Sequence, residues 1–164
     1  MKNRQWTRIQ AAFYAAAALL MFSAIAIAHG KMSYRAALSG GNETPRVTTK
    51  ATGSAMFTVN AKETEISYMI HVRDIEGVTM AHIHLGKAGK NGPPVAMLEV
   101  RAKKGKFSGM LAGGKITGKY LMGDFKGKTV KDLVKEMKAG NTYVNVHTSA
   151  NPDGEIRGQI KPEK

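Results

Sequence analysis

The 164 residues contain no cysteine. That removes a disulfide framework, a thiolate metal site, a cysteine nucleophile and a lipidated cysteine. The sequence also lacks Gly-x-Ser-x-Gly, a phosphate-binding Gly-rich loop and His-Glu-x-x-His. Ser39 and Ser54 have no evident base, so without a metal there is no general acid–base pair and the chain reads as non-enzymatic. Asn42-Glu43 and Asn151 with Asp153 offer oxygens, but not the acidic spacing of a calcium loop. Aromatic residues are 7% and do not interleave with the lysines, which argues against nucleic acid as a partner.

Acidic groups are scarce: 12 against 25 basic ones, a formal net charge of +13. Lys2, Arg4 and Arg8 open the chain, and Ala11 to Ala28 is an uncharged, mostly apolar run with Leu19, Leu20, Met21, Phe22, Ile25 and Ile27. Small residues at Ala24, Ala26 and Ala28 suit cleavage, so residues 1–28 are expected to be an export signal. The other reading is an uncleaved anchor, at the short edge of a spanning helix and the chain's one route to a membrane. Export predicts a periplasmic or secreted protein. With the three basic groups of the leader set aside, the remaining 22 still outnumber the 12 acidic ones. Such an excess is a solvated basic face, or a surface for an anionic envelope ligand.

Beyond the leader the period is mostly two. Ser33 to Leu38 is a candidate strand, ended by Gly40-Gly-Asn-Glu-Thr-Pro45. Ala55, Phe57 and Val59 share one face of Gly53 to Val59. In Glu65 to Val72, Ile66, Tyr68, Ile70 and Val72 face one way, and Ser67, Met69, His71 and Arg73 the other. These two segments predict a hairpin, with Asp74 to Val78 as a connection closed by Gly77. A strand with two histidines, the Asn91-Gly-Pro-Pro94 turn and a strand over Val95 to Val100 follow. Phe107 to Tyr120 is Gly-rich, with a short strand expected around Lys115 to Tyr120. Val130, Leu133, Val134 and Met137 then trace one helical stripe, with Thr129 as N-cap and Gly140 as stop. Thr142 to Thr148, the Asn151-Pro-Asp-Gly154 turn and Glu155 to Ile160 form a closing hairpin. The sum is an all-β fold: an antiparallel sandwich or barrel of about seven or eight strands, with one short helix in the last third.

The chemistry centres on Met80-Ala-His-Ile-His-Leu85. In a strand, His82 and His84 stand on one face while Ala81, Ile83 and Leu85 point into a core. In Thr142 to Thr148, Tyr143, Asn145 and His147 share the outer face. Were the two strands close, three imidazoles would converge, a ligand set for copper or zinc. The alternative is that these histidines donate to backbone carbonyls and fix a loop. Met80 falls on the same face and would add a thioether favouring Cu(I). If cleavage follows Ala28, His29 becomes the first residue, and its amine and imidazole would chelate Cu(II). His71 reads as a lone exposed histidine, and Glu155 with Arg157 as a cross-strand ion pair.

Five segments together resemble the chordin-type (CHRD) domain family: Leu38-Ser-Gly-Gly-Asn-Glu-Thr-Pro45, Ala51-Thr-Gly53, Ala81-His-Ile-His-Leu-Gly-Lys-Ala-Gly-Lys-Asn-Gly-Pro93, Ala139-Gly-Asn-Thr-Tyr-Val-Asn-Val-His-Thr148 and Asn151-Pro-Asp-Gly-Glu-Ile-Arg-Gly-Gln159. They run in the family's order over about residues 34–161; Thr44-Pro45-Arg46 departs from its Val-Pro-Pro. The resemblance implies an extracellular or envelope β-rich module of the single-domain exported type, with no assigned activity. Three functions follow, in this order: a binding or structural module, a copper- or zinc-binding envelope protein using His82, His84 and His147, and a metal-dependent redox enzyme.

Overall fold

A computed structural model describes residues 31–163. The leader and His29 lie outside the described residues. Nine strands form one antiparallel sheet: β1 (Met32–Ser39), β2 (Thr52–Val59), β3 (Ile66–Glu76), β4 (Val78–Leu85), β5 (Pro94–Leu98), β6 (Lys106–Ile116), β7 (Thr142–Thr148), β8 (Ile156–Gln159) and β9 (Lys161–Pro162). Their order is β5-β4-β7-β8-β1-β2-β3-β6, with β9 on β1. The sheet curls into a nearly closed barrel or sandwich, and the Ala96–Leu121 bridge extends β5, one of its two edges.

The period-two pattern explains which side is inside. Ile66, Tyr68, Ile70 and Val72 are buried and alternate with exposed Ser67, Met69, His71 and Arg73, as expected. Ala55, Phe57 and Val59 from β2, Ala81 and Ile83 from β4, and Val144 and Val146 from β7 fill the same core. The two expected hairpins form: β2 pairs with β3 from Val59–Ile66 onward, and β7 with β8.

Two expectations change. The third strand runs on to Glu76, so Gly77 alone joins it to β4. The two strands do not pair; the chain leaves the β2-β3-β6 half there and enters the β5-β4-β7 half. Gly77 has φ +67, and a Cβ would sit 2.4 Å from Ser149 Oγ, which is why no side chain fits. The Gly-rich segment forms a strand over Lys106–Ile116 rather than Lys115 to Tyr120. Its glycines carry no apolar side chain to mark a face, but they pair with β3 through two register shifts.

Helix α1 (Val130–Lys138) starts where the sequence places it. Thr129 and Asp132 form a reciprocal capping box, and Val130, Leu133, Val134 and Met137 are all buried in the common core. Replacing the cap, Thr129→Ala, should lower the urea-unfolding free energy by about 1 kcal/mol. A variant with unchanged unfolding would mean that packing alone holds the helix.

Candidate metal centre

Strands β4 and β7 are direct neighbours, with His82 opposite Asn145 and His84 opposite Tyr143. The pairing brings His82, His84 and His147 onto one patch. Their ring centroids lie 5.2 Å (His82–His147), 5.7 Å (His82–His84) and 5.9 Å (His84–His147) apart. One nitrogen from each ring lies within 4.8 Å of the other two.

Backbone carbonyls fix which nitrogen two of the rings present. His84 Nδ1 donates to the Gly92 carbonyl at 2.9 Å, and His147 Nδ1 to the Pro152 carbonyl at 2.8 Å. Both Nδ1 atoms therefore carry the proton, and both Nε2 atoms carry a lone pair. His147 Nε2 lies 3.2 Å from His82 Nδ1, so His82 Nδ1–H donates to it. His84 Nε2 is buried and has no partner. A buried acceptor without a donor is costly, and an ion between the three rings would satisfy it. Three nitrogens about 2.1 Å from one ion lie about 3.4–3.6 Å apart, so the widest pair would close by about 1 Å on binding. The donor set fits copper or zinc.

The outer face of β4 and β7 is not open to solvent, contrary to the expectation from alternation. All seven residues of β7 are buried. His82, His84 and His147 are 6–9% exposed. Three loops roof them: 40–47, 86–93 and 149–155. Tyr143 stacks on His84 at 5.0 Å between centroids. Asn91 Nδ2 donates to the Thr44 carbonyl at 2.7 Å, tying two roof loops together beside the cis Thr44–Pro45 bond. Two glycines permit the close approach. A Cβ on Gly92 would lie 1.6 Å from the Leu85 carbonyl oxygen, and one on Gly154 would lie 2.4 Å from Asn145.

Glu155 and Arg157 do not pair with each other; they hold separate parts of the roof. Glu155 accepts from Thr49 Oγ1, Thr148 Oγ1 (both 2.7 Å) and Asn151 Nδ2. Arg157, 2% exposed, donates to Asn91 Oδ1 at 2.8 Å and to the Lys90 carbonyl, and lies 3.5 Å from the centroid of Tyr143. Met80 stands opposite His147 in the β4–β7 pairing, but its side chain is 45% exposed, outside the buried imidazole cluster. His71 lies on β3, away from the trio.

Sequence reasoning missed Glu43 as a member of this site. Its carboxylate accepts from Asn145 Nδ2 at 3.3 Å, while Glu43 Oε1 and Asn145 Oδ1 are buried without partners. Asn145 was findable, two residues before His147 on one face. Glu43 reaches the site only through the fold of its loop. Burial raises the Glu43 pKa to about 7, against the opposing pull of Arg157 and the Asn145 hydrogen bond. Burial lowers the pKa of His82 to about 4, helped by the neighbouring imidazoles, and it lowers those of His84 and His147 as well. Burial thus favours the neutral form of all three rings, the form that binds metal.

The fold and site define a small antiparallel β-module with a roofed histidine cluster. A family model for the CHRD domain matches residues 34–160, and the chain belongs to that family. The family is a non-enzymatic one. Among curated proteins, none matches the chain.

The shifted groups pull stability in opposite directions with pH. His82 resists protonation until about pH 4, while an unfolded histidine titrates near 6.5, so its contribution is full above 6.5 and is lost as pH falls toward 4. Glu43 behaves oppositely: its contribution is full below about 4.5 and is lost as pH rises through about 7. Glu43→Gln removes that second loss. Relative to wild type, the variant should therefore gain on the order of 2 kcal/mol between pH 4.5 and 7 in urea unfolding. A difference that stays flat with pH would mean that Glu43 titrates normally.

Proposed function

We propose that this CHRD module is exported and acts as a non-catalytic binding protein whose ligand is one copper or zinc ion, held by His82, His84 and His147. The observation that carries this reading is the buried, unpartnered Nε2 of His84, on a ring that shares a cluster of three imidazole nitrogens within 4.8 Å of one another. Two of the three rings are pre-oriented by carbonyls, the outer-shell arrangement that metal-ligating histidines use. The roof leaves the rings 6–9% exposed, which suits retention of an ion better than turnover of an organic substrate. The basic excess outside the leader would keep such a module near anionic envelope surfaces.

No helix of the described residues is long and apolar enough to cross a membrane. Export itself rests on the basic start and apolar run of residues 1–28.

Elemental analysis after loading and desalting tests the metal reading. The wild type should retain one equivalent of zinc, and His82→Gln/His84→Gln should retain none. A hundredfold excess of free zinc over its Kd should raise the unfolding free energy by about 2.7 kcal/mol in the wild type alone. Stoichiometric zinc that survives in the variant, or no zinc in either protein, would sink the reading.

A further inference from the structure

Among the described residues, every exposed large apolar side chain is a methionine: Met56, Met69, Met80, Met97 and Met110. Hydration disfavours an exposed methionine much as it does a leucine, so hydrophobicity does not explain the choice of side chain. What a thioether adds is a soft, neutral donor. Three of these five meet a histidine on one patch of the β2-β3-β6 half. Met56 is directly opposite Met69 in the β2–β3 pairing, and His71 is directly opposite Met110 in the β3–β6 pairing. Met69 and His71 are two residues apart on β3, so all four stand on adjacent outward positions. The bulge at Ile70/His71 sets this register: Leu111 and Ala112 both turn inward, and Met110 faces out beside His71. His71 Nε2 lies 3.3 Å from Met69 Sδ, a separation that two ligands of one ion can keep. Gly113, opposite Met69, places no side chain over the thioether.

We propose that Met56, Met69, His71 and Met110 form a second metal site, an open surface site for monovalent Cu(I). The donors are three neutral thioethers and one imidazole, without carboxylate or thiolate. Such a set selects Cu(I) over zinc and the hard divalent ions. Arg35 stands across from Met56 on β1, and its charge repels a divalent ion about twice as strongly as a monovalent one. Strands β8 and β1 separate this patch from β7 in the sheet, so the two sites are distinct. The proposal does not rest on the three-histidine reading.

Anaerobic titration of the whole protein with Cu(I), and with Ag(I) as a redox-inert substitute, tests it, read by the methionine methyl signals in NMR. On Ag(I) addition the methyls of Met56, Met69 and Met110 should shift. Met69→Leu/Met110→Leu should lose one equivalent of Cu(I) while keeping its zinc stoichiometry and its thermal midpoint, because the swap conserves volume. His82→Gln/His84→Gln should keep the methyl response. Unmoved methyls, or full Cu(I) binding by the leucine variant, would overturn the proposal. Absence of zinc binding in the wild type with an intact methyl response would overturn only the buried site.

Discussion

The buried guanidinium of Arg157 is the constraint on which the histidine centre depends. A charge 2% exposed is tolerable only when its donors are met. Here the acceptors come from the 86–93 loop, the ring face comes from Tyr143 of β7, and Asn42 Nδ2 donates to the Arg157 carbonyl at 3.0 Å. One residue, through its guanidinium and its carbonyl, thus binds two of the three covering loops to the strand between β7 and β1. Take it away and the 86–93 loop loses its floor, and with it the Gly92 carbonyl that orients His84. No carboxylate neutralises the guanidinium by a salt bridge among the described residues. Glu43 feels its field but is held near neutrality by burial.

The two histidine environments differ in kind. The His82–His84–His147 cluster is dry, preset by carbonyls, and closed by loops. The His71 patch is wet, built on the exposed face of regular strands, and surrounded by flexible thioethers. The first suits tight retention of a borderline ion; the second suits rapid capture and release of a soft one.

Much of this was legible in the sequence, and the reasons differ by element. Strand β3 is readable because four inward and four outward residues alternate without a break. The helix is readable because its cap and stripe are both local. Strand β6 was misplaced because glycine gives no facing signal. The convergence of His147 on His82 and His84 could be framed as a condition, but only the β4–β7 pairing satisfies it. The roof was not legible. It consists of contacts from side chains and rings to carbonyls, which leave no hydropathy pattern, and so Glu155 and Arg157 looked like an ion pair. The methionine patch was half visible: alternation places Met69 and His71 together, but Met56 and Met110 arrive through register alone.

Each carbonyl that orients a ring of the cluster belongs to the turn following that ring's own strand: Gly92 lies eight residues after His84, and Pro152 five after His147. The centre therefore has two halves, each a strand and its turn carrying a ring already aimed. The alignment of β4 against β7 joins them and sets the Tyr143–His84 stack and the His82–His147 contact across the seam. A slip of one residue there would send the two halves to opposite faces of the sheet, even with each ring still bonded to its own turn. Affinity for the ion is in that sense a readout of strand register, and a bound ion would act as a pin that forbids the slip.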